Sequence, residues 1–210
     1  MRSLSEIDTT AKRATKAIGY PWGIAEEVGK NIRLLELFGL PGLKNLNDFF
    51  KVYKKKQFQT ISIINKVNES HKISYCPITL GINFLDQINI ISELKEIKFI
   101  NVAYPLLFLP FVSRTSEIIG KRIFLKMDQN EFLLNFNQSI NSNFLKNDII
   151  KQVNKIDLIL YENDNTFNNS EWEELYKLSE DTFVEESNSS KLNWSPIKFP
   201  FKDKTCIQGN

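Results

Sequence analysis

The sequence is 210 residues long, with a formal net charge of +2, one histidine and two cysteines. That length suits a single domain with a real core, since a chain of this size buries roughly 70% of its unfolded surface. The near balance of charge argues against a nucleic-acid binder, which shows a basic face; Cys76 and Cys206 lie too far apart for a metal pair, and His71 alone excludes the usual zinc and Ser-His-Asp chemistries.

The N-terminus has no apolar signal-peptide core, so a cytoplasmic, reducing compartment is the default. No cofactor and no metal are expected. The most apolar run, Ile97 to Val112, is interrupted by Lys98, Asn101, Pro105 and Pro110. It is also shorter than the ~20 apolar residues that a membrane span needs.

In chain order, Ser3-Leu4-Ser5-Glu6 is a capping box, and Ile7, Ala11, Ala14 and Ile18 recur at helical spacing up to Gly19. The pattern predicts a helix from Leu4 to Ile18. Tyr20-Pro21-Trp22-Gly23 turns into a second helix with Ile24, Ala25, Val28, Ile32 and Leu35 as its stripe. Glu26 and Glu27 are read in its first turn, and Gly29 permits close approach of another backbone. Gly39 and Pro41 end it, and a third helix follows from Leu43 to about Tyr53. Lys51, Lys54, Lys55 and Lys56 read as a solvated helix end.

Beyond Lys56 the pattern predicts mostly strands. Phe58 to Ile64 is strand-like or frayed, and Ile73 to Phe84 has strand chemistry, with Cys76 a buried small hydrophobe. Asp86 to Glu96 is ambiguous. Ile97 to Val112 is read as extended chain through the core, with Pro105 and Pro110 marking an edge, a bulge or a switch between sheets. Arg122 to Met127 and Glu131 to Asn137 form a hairpin around Asp128-Gln129-Asn130. Ser139 to Asn147 reads as a polar loop, Ile149 to Asn154 as a short helix, and Ile156 to Tyr161 as a strand. Ser170 is read as the cap of a last helix, with Trp172, Leu175, Tyr176 and Leu178 on its buried side.

Three clusters could carry a site. Ser113-Arg114-Thr115-Ser116-Glu117 places an Arg fork and hydroxyls where the central run surfaces, a good partner for a carboxylate or phosphate. Trp22 with Glu26 and Glu27 could line a pocket, although Trp22 also suits a core anchor. Thr182-Phe183-Val184-Glu185-Glu186, followed by Ser187, Ser190 and Lys191, has the composition of a solvated tail. The ligand-contact expectation rests on Arg114, Ser113, Thr115, Trp22, Glu26 and Glu27.

Ser3-Leu4-Ser5-Glu6-Ile7, Ala11-Lys12-Arg13-Ala14 and Gly19-Tyr20-Pro21-Trp22-Gly23-Ile24-Ala25-Glu26-Glu27-Val28-Gly29 together resemble the N-terminal signature of an uncharacterised bacterial family, a domain of unknown function. Leu109-Pro110-Phe111 and Thr182-Phe183-Val184 resemble further motifs of that family, with Lys191 where its Arg is usual. The family's glycine-rich C-terminal stretch is missing here, apart from Gly209. The resemblance implies a bacterial cytoplasmic metabolic protein and no particular activity.

The expected fold is α+β: two to three N-terminal helices, a mainly antiparallel sheet and a C-terminal helix. The domain would span residues 1–185, helical over 1–56, mostly β over 57–161 and closed by a helix at 170–183, with a loosely held tail from 186 to 210. The expected function is binding of a small carboxylate or phosphate, or an accessory role in bacterial metabolism. The alternatives are a lyase, isomerase or hydrolase using Glu26, Glu27 and Glu185, and a protein-interaction module. The partners left open are a small molecule, a protein and a second copy of the chain, with nucleic acid and membrane not expected.

Overall fold

Ser3 and Glu6 fix the first turn of the chain with each other's backbone. Ser3 Oγ accepts from the Glu6 N–H at 3.2 Å, and Glu6 Oε2 accepts from the Ser3 N–H at 2.8 Å. The structure is a computed structural model that describes residues 2–144, 149–162 and 166–182. Two units make up the chain, Met1–Asn163 and Asp164–Asn210.

The first unit begins with helices α1 (Leu4–Ile18), α2 (Trp22–Leu37) and α3 (Gly42–Tyr53), as the periodicity predicts. Gly19 ends α1 in the left-handed region, with φ 116°. Gly29 lets α2 approach α1: a Cβ there would stand 2.6 Å from Asp8 Oδ1 and 2.9 Å from the Asp8 carbonyl oxygen. Because α2 already starts at Trp22, Glu26 and Glu27 lie beyond its first turn, not within it.

After α3 come β1 (Val67–Glu69), α4 (Pro77–Asp86), α5 (Ile88–Glu93), β2 (Glu96–Ala103) and a 3-10 turn at Pro105–Leu107. Then follow α6 (Leu109–Ile119), β3 (Arg122–Met127), β4 (Asn130–Asn135), β5 (Ser139–Ser142) and β6 (Gln152–Tyr161). The strands make one sheet in the order β1-β2-β6-β3-β4-β5. Among these strands β1 and β2 pair in parallel and the other pairs are antiparallel. Alternate residues face the core, among them Ile97 and Phe99, Ile123 and Leu125, Phe132 and Leu134, and Ile156 and Leu158.

The central run is where the structure departs most from the sequence reading. Ile97 to Ala103 is strand, but the chain then turns into a helix instead of continuing extended. Pro105 and Pro110 mark helical first turns, where a missing N–H leaves no bond unmade. They mark no edge, bulge or switch of sheet. Pro77 does the same for α4, which replaces the strand expected over Ile73 to Phe84. Both helices are largely buried, and on α6 the buried positions include Ser113, Thr115 and Ser116, so the inward side is not marked by apolar residues alone. The two helices meet at Gly81, where a Cβ would stand 2.1 Å from the Phe111 ring.

Smaller corrections follow the same lines. The ambiguous 86–96 segment contains α5. Residues 58–64 are mostly irregular, with one parallel bridge from Gln59 to Tyr75. Ser139–Ser142 pairs with β4 because Phe136 (φ 50°) and Asn137 (φ 58°) turn the chain through two left-handed residues. The short helix expected from Ile149 is absent; β6 already starts at Gln152, and its Val153 is buried out of step with the alternation of Ile156, Leu158 and Leu160, with Asn154 and Lys155 both exposed between them.

In the second unit the described element is α7 (Asn169–Glu180). Its cap is Asn168, not Ser170: the Asn168 side chain accepts from the Glu171 N–H at 2.9 Å, and Glu171 answers with a bond to the Asn168 N–H at 2.8 Å. Trp172, Leu175, Tyr176 and Leu178 are more than half exposed, so the face expected to be buried is open.

Candidate functional site

The Ser113–Glu117 cluster lies on α6, and its side chains are satisfied from inside the protein. Ser113 Oγ bonds Asn137 Oδ1 at 3.1 Å, and Glu117 Oε2 accepts from Asn137 Nδ2 at 3.1 Å. Thr115 Oγ1 donates to the Phe111 carbonyl at 3.0 Å. Ser116 Oγ donates to the Lys121 carbonyl at 2.7 Å and accepts from the Phe136 N–H at 3.2 Å. Arg114 pairs with Glu27 on α2 and also donates to Asn31 Oδ1 at 3.3 Å. These bonds tie α6 to α2 and to the β4–β5 turn.

The other expected contacts lie apart. Trp22 is 54% exposed, with the Lys16 ammonium 5.5 Å from its ring centroid, so it is not a core anchor. Glu26 is exposed. Burial raises the Glu27 pKa, but hydrogen bonds from Lys30 and Arg114 outweigh it and hold the carboxyl below its ordinary value. Neighbours on one helix, Glu26 and Glu27 do not converge. Thr182 is exposed, and residues 183–191, including Glu185, lie outside the described residues.

A cavity of about 470 Å³ lies elsewhere, beyond the carboxyl end of β2. Three lysines line it, Lys56 after α3, Lys72 after β1 and Lys151 before β6, and no Asp or Glu does. Ser74, Asn101, Tyr104 and Gln152 add polar atoms, while Val52, Phe58 and Ile73 supply an apolar wall. Among the described residues, neither Lys56 nor Lys72 has a carboxylate within ion-pair distance. The end of β2 has parallel neighbours, β1 and the bridged Tyr75, and open sheets commonly place ligands beyond the carboxyl ends of such strands.

Two residues of this wall have left-handed backbones without being glycine: Asn101 (φ 68°) and Tyr104 (φ 42°). Such conformations persist only where the surroundings hold them, and they cluster at functional sites. Asn101 Oδ1 accepts from Ser74 Oγ and from Gln152 Nε2, each at 2.7 Å, and its Nδ2 donates to the Ser70 carbonyl at 2.9 Å. Tyr104 donates its hydroxyl to Asp48 Oδ2 at 2.7 Å, and Lys151 Nζ stands 3.7 Å from the same oxygen. The Tyr104 bond, with help from Lys151 and Lys51, holds the Asp48 pKa down. Burial, then Asp48, pushes the Tyr104 phenol up, so it stays a neutral donor.

A second cavity, about 260 Å³, shares Lys56 and Phe58 with the first. Tyr53, Thr60, Cys76 and Thr79 complete its lining. The Phe58 ring stacks on Tyr53 with centroids 6.1 Å apart. Cys76 is buried as expected, but as the N-cap of α4, with its sulfur 3.6 Å from the Tyr20 hydroxyl.

Residues 2–75, about a third of the chain, match the model of a family described as "Protein of unknown function (DUF3726)". The matched segment contains the whole N-terminal stretch that carries the resemblance, while Leu109-Pro110-Phe111 and Thr182-Phe183-Val184 fall outside it. It also contains Val52, Lys56, Phe58, Lys72 and Ser74 of the cavity wall. No curated protein and no solved structure matches the chain. Among the described residues, no helix is long and apolar enough to cross a membrane, and no three His, Cys, Asp or Glu gather as a metal site.

Sequence reasoning passed over this wall because its members lie in four separate stretches. One signal was present. Asn101 interrupts an apolar strand, and Asn is among the few residues that accept a left-handed backbone.

Proposed function

We propose that the cavity beyond β2 binds a small anionic ligand, a carboxylate or a phosphate. The observation that carries this reading is a cavity of about 470 Å³ with three lysines and no acid in its wall. Lysine ammonium groups attract oxyanions as point charges, and the second N–H of the Gln152 amide, whose first goes to Asn101, can orient them. This keeps the ligand class drawn from the sequence and moves the site away from Arg114.

Isothermal titration of the purified protein with inorganic phosphate and with citrate tests it. Saturable binding is expected, weakened at least tenfold in Lys72→Gln/Lys151→Gln. A probe at about 100 times its Kd stabilises the fold by about 2.7 kcal/mol, so the melting temperature should rise by roughly 5–10 °C. No heat and no thermal shift with either probe, on folded protein, would overturn the reading.

A second reading, a protein-interaction module, has its own observation. Trp172, Leu175, Tyr176 and Leu178 expose four large apolar side chains on one short helix, and such patches mark contact surfaces. Sedimentation over a range of concentrations tests a second copy as the partner: association lost in Leu175→Asp supports it, and a monomer throughout removes it.

A further inference from the structure

The two adjoining cavities differ in chemistry. The larger is cationic and polar; the smaller is aromatic and uncharged except for Lys56, which borders both. Phe58 is the other residue that borders both cavities. A ligand made only of an oxyanion would occupy the larger cavity and leave the smaller one without a role. The smaller cavity, at about 260 Å³, has room for a flat ring or a short alkyl arm. Tyr53 and Phe58 offer it aromatic surface, and Thr60, Cys76 and Thr79 complete the wall.

We propose that the two cavities form one bipartite site, whose ligand joins an oxyanion head, held by Lys56, Lys72 and Lys151, to a flat apolar arm packed against Phe58 and Tyr53. This rests on the anion-binding reading above and adds the arm. Lys56, on the border, is placed to hold the head where the arm departs. Apolar burial then supplies affinity and the lysines supply orientation, the usual division in small-molecule sites.

The test compares inorganic phosphate with phenyl phosphate by titration on the full chain. Phenyl phosphate should bind at least tenfold more tightly. Thr79→Leu, which fills the smaller cavity, should abolish that gain and leave phosphate affinity unchanged. Thr60→Leu, at an exposed loop position, serves the same purpose should Thr79→Leu melt early. Equal affinity for the two probes, or a gain that survives both substitutions, overturns the bipartite site and leaves anion binding standing. Failure of both probes to bind overturns the anion-binding reading itself, and this inference with it.

Discussion

Arg114 on α6 and Glu27 on α2 form an ion pair between helices, their side chains 21% and 24% exposed. It joins two of the regions singled out for a ligand, and each answers the other. Lys30 also reaches Glu27, at 2.8 Å, so the carboxylate has two cationic partners. Arg114→Ala should therefore act on stability. Hydrogen bonds to charged groups contribute about 1.5–3 kcal/mol, so the melting temperature should fall by roughly 3–12 °C. Phosphate binding should be unchanged. A variant that melts like the parent yet loses phosphate would restore Arg114 as the ligand contact.

The same pair sets a pH dependence. The Glu27 pKa is depressed in the folded protein, so its contribution is present above the unfolded value of about 4.5 and is lost as pH falls through the lower, folded value. The gap in melting temperature between parent and Arg114→Ala should be full at neutral pH and narrow below pH 4.5. A gap that is constant down to pH 3 would assign the effect of Arg114 to packing alone.

Asp48 and Tyr104 make a second sensitive point. The phenol bond is the main cause of the low Asp48 pKa. Tyr104→Phe should raise that pKa towards its ordinary value of 3.8, as followed by carboxyl NMR titration. The stability this bond contributes is present above 3.8 and lost as pH falls through the depressed value. An unmoved Asp48 titration would assign the low value to Lys151 and Lys51.

How much of this was legible in the sequence depended on which surfaces the elements expose. Helices α1 to α3 each keep a wet face, so Ile7 and Ala11 or Leu46 and Phe49 stand out at helical spacing. Ser3, Glu6 and Gly19 gave the ends of α1, and the Asp128 turn gave the β3–β4 hairpin. The central helices hid for a different reason. Leu109, Phe111, Val112, Ser113, Thr115 and Ser116 are all buried on α6, so hydroxyl residues share the inward side with apolar ones and blur its pattern, while Ile118 is exposed. Hydroxyls that looked available as ligand donors are interior groups that need internal partners. The cavity wall was illegible for a topological reason: Lys72 and Lys151 meet only because β1 lies beside β2 and β6 returns on its other side.

The crossing of α4 and α6 predicts a strong coupling. Gly81→Ala would put a methyl 2.1 Å from Phe111 Cδ2, in a fully packed core. Overpacking costs about 1–3 kcal/mol, and here the obstacle is a buried ring rather than a flexible chain end. Phe111→Leu should also destabilise by itself. Together the two should cost clearly less than the sum of their separate effects, because the smaller side chain admits the methyl. Chemical denaturation of the four proteins measures this, and additive effects would mean that the helices relax apart.

Asn101 allows backbone strain and side-chain bonding to be separated. Its left-handed φ of 68° and its bonds to Ser74, Gln152 and Ser70 both hold the end of β2 against the cavity. Asn101→Ala and Asn101→Gly delete the same side-chain bonds, but only glycine accepts the backbone without a steric penalty, which for an L-residue is roughly 1–2 kcal/mol. Alanine should therefore be the more destabilising of the two, by about 1 kcal/mol after allowing for the greater freedom of unfolded glycine. Both should weaken phosphate binding, because Ser74 and Gln152 lose their anchor. If alanine and glycine melt together, the chain at residue 101 relaxes out of the left-handed region once the side chain is gone. The side-chain bonds, and not the rigidity of the β2 end, would then be what fixes this wall of the cavity.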